Sequence, residues 1–140
     1  GGSSREWRDS MIAKMQSSNA RQRIHYLSYA DDKMIGRLYA HATCFLFPTF
    51  YEGFGIPILE SMVHGCPVIT SNLGAMKEVS GDAALLVNPN DVLEIANAIT
   101  RISQSEQLRM ELVEKGHQRR KRFTWDQCAR STAEVYKRLA

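Results

Sequence analysis

The chain has 140 residues, 44% of them hydrophobic and 24% charged, with a formal charge of +3 at pH 7. That length bounds it to one domain or less with a single core, and so small a positive charge gives no case for nucleic acid. No apolar run approaches the roughly 18 to 20 residues of a membrane helix and no signal peptide opens the chain, which therefore reads as a soluble, cytoplasmic protein.

In chain order, Ser3 with Glu6 makes a capping box, and a helix is expected over 4–18 with Trp7, Met11, Ile12 and Met15 on one face. A short strand is expected over 24–27, followed by a loop containing Tyr29 and Ala30. Asp31 is placed to cap a helix over 33–42 that buries Met34, Ile35, Leu38 and Tyr39. The apolar run 44–47 suits a doubly buried strand, which Pro48 ends because proline has no amide hydrogen for a ladder. A helix over 57–64 starts with Pro57 in its first position and stops at Gly65.

Next come a strand over 68–70, a loop over 71–75, and at most one helical turn over 76–79. A strand over 84–87 closes at Asn88-Pro89-Asn90. Asp91 then caps a helix to Ser103, Ser105 opens another that Gly116 stops, and Thr124 caps a terminal helix over 125–139 with Phe123 as a hydrophobic staple. Alternation of strand and helix predicts an α/β fold, a parallel sheet with helices on both faces.

Chemistry concentrates between strand 44–47 and the helix after it. Gly53 and Gly55 permit dihedrals that a Cβ forbids, and let a ligand approach bare backbone. Strand, glycine loop and helix start together aim free amides and a positive helix end at one place, an arrangement suited to phosphate. Glu52 and Glu60 flank that place, and carboxylates offer acceptors for sugar hydroxyls. Diphosphate on the amides and hydroxyls on the acids describe a nucleotide-sugar.

Other groups carry less. Cys44, Cys66 and Cys128 match no zinc or redox spacing and read as packing thiols. His25, His41, His64 and His117 have no partner at metal or triad spacing, and no metal site is expected. The basic run Arg119-Arg120-Lys121-Arg122 reads as a solvated helix end, with contact to anionic lipid as the alternative.

The segment Glu52 to Glu60, Glu-Gly-Phe-Gly-Ile-Pro-Ile-Leu-Glu, is followed by Gly65-Cys66-Pro67-Val68-Ile69-Thr70-Ser71 and then by Gly81-Asp82-Ala83-Ala84-Leu85-Leu86-Val87-Asn88-Pro89. In that order these motifs resemble the C-terminal, donor-binding domain of retaining glycosyltransferases of family 4. The resemblance implies a Rossmann-like partial GT-B fold lacking its first strands and its acceptor domain, and a hexose, with mannose favoured, moved from a nucleoside diphosphate sugar. By the resemblance, Glu52 is the catalytic residue that contacts the transferred sugar, and Glu60 takes the ribose hydroxyls. Gly53, Phe54, Gly55 and Ile56 give amides to the diphosphate, and Tyr29 and Ala30 border the base. It implies no cofactor beyond the donor substrate, a saccharide or lipid-linked acceptor held by the missing domain, and peripheral contact with the inner face of a membrane. The element 76–79 falls where the family lines the far wall of the donor site. A fragment of this kind is expected to be inactive alone, with 24–27 and 44–47 not adjacent and its strand edges exposed. A non-catalytic nucleotide-sugar-binding module and a GT-B nucleotide-sugar epimerase remain the alternatives.

Overall fold

The computed structural model describes residues 5–139, apart from the side chains of Arg5 and Trp7. The capping box at Ser3 and the packing of Trp7 lie outside the described residues. Two compact units divide the chain, 1–31 and 32–140.

In the first unit, helix α1 (Arg5–Ser17) half-buries Met11, Ile12 and Met15, and a single 3-10 turn follows at Arg21–Arg23. The strand expected over 24–27 does not form. Ile24 has extended dihedrals (φ −109°, ψ 122°), so the local propensity is there. A strand also needs a neighbour for its amides and carbonyls, and none of the described strands pairs with this segment. Its apolar residues accordingly stay exposed, Leu27 at 48%.

The second unit is built on three parallel strands, β1 (Phe45–Phe47), β2 (Val68–Ser71) and β3 (Ala84–Val87), in the order β1-β2-β3. Phe45 is in register with Val68, and Val68 with Ala84. All four residues of central β2 are buried, as a strand covered on both faces requires. Alternation divides the sheet's side chains between two clusters. Val68 and Ala84 join Ile58 and Met62 of α3 (Ile56–Val63) and Met76 and Val79 of α4 (Gly74–Ser80). Ile69 and Val87 join Ala98 and Ile102 of α5 (Val92–Gln104) and Leu112 of α6 (Glu106–Arg120). Helices therefore lie on both faces, as the alternation predicted.

Helix α2 (Asp32–His41) half-buries Ile35 and Tyr39, while Met34 and Leu38 are exposed. Several ends follow their sequence signals. Helix α3 closes in a Schellman motif, with the Gly65 amide on the Met62 carbonyl at 3.3 Å, the Cys66 amide on that of Ser61 at 2.9 Å, and Gly65 at φ 69°. Asp91 Oδ1 accepts from the amides of Leu93 and Glu94, each at 3.0 Å, and caps α5. Ser105 caps α6, and Thr124 Oγ1 accepts from the Gln127 amide at the start of α7 (Trp125–Leu139).

Packing corrects or extends four expectations. Residues 74–80 make a full helix rather than one turn, because Met76 and Val79 have a core to enter and the Ser80 hydroxyl bonds the Met76 carbonyl at 2.7 Å. Gly116 does not end α6. It lies buried inside the helix, where an added Cβ would stand 3.1 Å from Met62 Cγ, so it is the point at which α6 and α3 approach closely. Phe123, expected only as a staple for α7, packs on the α3–α4 cluster and on Phe54. Cys128 is exposed, whereas Cys66 is buried and Cys44 half-buried.

Candidate functional site

Parallel pairing brings the carboxyl ends of β1, β2 and β3 to one edge, where α/β sheets bind ligands. Thr70 Oγ1 donates to the Phe47 carbonyl at 2.9 Å, tying the end of β1 to β2 just where Pro48 stops the ladder. The chain then runs through an exposed loop, Phe50 to Phe54, into α3.

Gly55 is the residue before α3, in the left-handed region at φ 95° and ψ 44°. Its carbonyl accepts the first bond of the helix, from the Ile58 amide at 3.0 Å. Pro57 occupies the second helical position, since α3 begins at Ile56 rather than at Pro57. No side chain caps this end, and the amides of Gly53, Phe54, Gly55 and Ile56 meet no partner among the described residues. The two glycines differ in their surroundings. A Cβ at Gly55 would fall 2.5 Å from Met76 Cε, so glycine there admits a neighbouring side chain. A Cβ at Gly53 would meet nothing within 4 Å, and the space beside it is open.

Glu52 is exposed in the same loop and forms no ion pair with a described residue. Glu60 is exposed on α3, with its carboxylate near Tyr39 of α2. Burial first, and then the Glu60 carboxylate, push the Tyr39 phenol up to about 12. Ile56 is exposed, and the Phe54 ring meets that of Phe123 edge to face with centroids 5.7 Å apart. Residues 52–56 and Glu60 thus share one loop and the helix it feeds. Tyr29, 81% exposed, and the half-buried Ala30 belong to the first unit.

Of the element 76–79, Met76 and Val79 are core, while Lys77 and Glu78 are exposed. Sequence reasoning passed over Ser71, the last residue of β2. It is fully buried at the carboxyl edge, and its hydroxyl has no hydrogen-bond partner among the described residues. Its signal in the sequence was its position, a hydroxyl where a central strand hands over to a loop.

A cavity of about 270 Å³ opens beside β3, lined by Leu86, Asp91, Asn97 and Arg101, and one of about 400 Å³ opens at the opposite sheet edge, lined by Thr43, Pro67 and Arg109. No group of three or more metal-ligating side chains is found among the described residues. Bare amides and nearby acids can accept a ligand that carries both anionic oxygens and hydroxyls.

Residues 1–119 match the family described as Glycosyl transferases group 1. The chain belongs to that family. It is 40% identical over 136 residues to the O-antigen chain mannosyltransferase B of Escherichia coli, a match covering 96% of this chain and 36% of that protein. It is 32% identical over 134 residues to the MMP alpha-(1->4)-mannosyltransferase of Mycolicibacterium hassiacum, covering 93% of this chain and 32% of the relative. Among solved structures, a sucrose-phosphate synthase from Thermosynechococcus elongatus superposes with a TM-score of 0.84 at 28% identity, over 99% of this chain and 37% of the other. The chain therefore spans about a third of the length of these relatives. The fold class expected from the sequence, a Rossmann-like part of a GT-B fold, stands.

Proposed function

We propose that this chain is the donor-binding part of a retaining glycosyltransferase, which moves a hexose from a nucleoside diphosphate sugar to a saccharide or lipid-linked acceptor. Mannose is the favoured hexose, because both sequence relatives described above are named mannosyltransferases. The observation that carries the reading is the run of four unpartnered amides, 53–56, at the start of α3 on the carboxyl edge of a parallel sheet. They would take the diphosphate and stabilise the charge that develops on it as the sugar departs, without a metal or other cofactor. Glu52, in the loop itself, would hold hydroxyls of the transferred sugar, and Glu60, further along α3, those of the ribose. The acceptor would be held by parts of the protein outside this chain, with turnover belonging to the whole at the cytoplasmic side of a membrane.

Donor turnover by the full-length protein, across guanosine and uridine diphosphate hexoses, tests this reading. Glu52→Ala is expected to lower turnover of the preferred donor at least about a hundredfold, with circular dichroism unchanged. Equal turnover of every donor by wild type and variant would remove Glu52 from the site.

A further inference from the structure

We propose that Arg119 and Phe123 are positioning residues for the donor loop, a brace that holds Gly53-Phe54-Gly55 in place from the far end of α6. The inference rests on the donor reading of that loop. In Gly-Phe-Gly the only side chain is that of Phe54, so the position of this backbone depends on what the Phe54 ring touches. It touches Phe123, edge to face at 5.7 Å with planes 82° apart, a geometry that aromatic quadrupoles favour.

Phe123 is itself held. The Arg119 guanidinium lies 5.3 Å from its ring centroid. Arg119 Nε donates to the Val79 carbonyl at 2.9 Å, and an Nη donates to the Glu78 carbonyl. Both carbonyls belong to the last turn of α4, where helical geometry leaves acceptors without partners and a cation is favoured. Gly81, at φ 58°, leaves room for the group, since a Cβ there would stand 3.1 Å from Arg119 Cζ. The series runs from the end of α4 through Arg119 and Phe123 to Phe54. Met76 of α4 reaches the same loop at Gly55, so α4 supports it from two sides. A loop ordered in advance loses less conformational freedom when a ligand arrives, which appears as donor affinity.

The test uses the full-length protein, with donor KM, kcat and thermal midpoint measured together. Phe123→Leu keeps apolar volume over the core and removes the ring, and Arg119→Gln removes the cation. Each is expected to raise donor KM about fivefold, the size of an aromatic pair contribution, with kcat little changed. Phe123→Tyr restores the ring and should restore donor KM. Joined to Phe54→Leu, Phe123→Leu should add nothing further, because residues acting through one contact are not additive. If Phe123→Leu and Arg119→Gln lower only the thermal midpoint and leave donor KM at wild type, while a nucleoside diphosphate hexose is still turned over, the brace is overturned and the donor reading survives. If the full-length protein turns over none of the nucleoside diphosphate hexoses, the donor reading fails and takes the brace with it.

Discussion

Two glycines, two residues apart, separate what the backbone needs from what a ligand would need. Gly55 combines φ 95° with a Met76 methyl 2.5 Å from the position of a Cβ. Gly55→Ala should therefore destabilise by about 2 kcal/mol or more, from backbone strain and from displacement of a packed side chain, read as a lowered midpoint in urea unfolding. Gly53 has neither restraint, with no positive φ and open space beside it. Gly53→Ala should shift the same midpoint by less than about 0.5 kcal/mol, and any loss of donor binding it causes then reports occupancy of that space.

Tyr39 supplies a second test at this scale. Its phenol, raised to about 12 by burial and then by Glu60, stays protonated in the folded state where an unfolded tyrosine has ionised. The folded state thus binds more protons between the ordinary tyrosine value of 10.0 and about 12, so stability falls as pH rises through that window and is fully present below it. The difference in ultraviolet titration between wild type and Tyr39→Phe should have its midpoint near 12, and Glu60→Gln should move that midpoint down. A midpoint indifferent to Glu60 would separate the two side chains.

Among the elements, α6 shows packing overruling propensity. In an exposed helix interior, alanine in place of glycine stabilises by about 1 kcal/mol. At Gly116 a Cβ would press on Met62 Cγ at 3.1 Å, so Gly116→Ala should destabilise despite its better propensity, by about 1 kcal/mol or more in chemical unfolding. Helix α5 is the contrasting case, governed by a local signal. Asp91 accepts from two amides of its first turn, and Asp91→Ala should lower stability by about 1 kcal/mol on the same measure. The sense of the Gly116→Ala result, opposite to what helix propensity alone would give, distinguishes tertiary from local control.

Across the whole molecule, large apolar side chains remain uncovered. Helix α7 buries none of its residues, and Trp125, Tyr136 and Leu139 are 87%, 70% and 81% exposed. One edge of β1 pairs with no described strand, and Leu46 beside it is exposed. Unpaired edges and apolar stripes of this kind promote association. The 140-residue chain expressed alone should self-associate in light scattering and bind a hydrophobic dye, and a monodisperse monomer with no dye binding would contradict that.

Local patterns determined much of this protein from sequence alone. Asp91, Ser105, Thr124 and Gly65 set helix ends because capping needs only neighbouring residues. Apolar runs bounded by turn residues gave the three strands that find partners, and the Gly-Phe-Gly context between two acids marked the loop proposed to hold a donor. Tertiary structure decided the rest, wherever a residue's role lies in a contact distant along the chain. It left 24–27 unpaired, extended 76–79 into a helix over the core, kept Gly116 inside α6 against Met62, and set Phe123 against Phe54. A pattern along one segment records that segment's preferences, while the neighbour that satisfies or overrides them is fixed only when the chain folds.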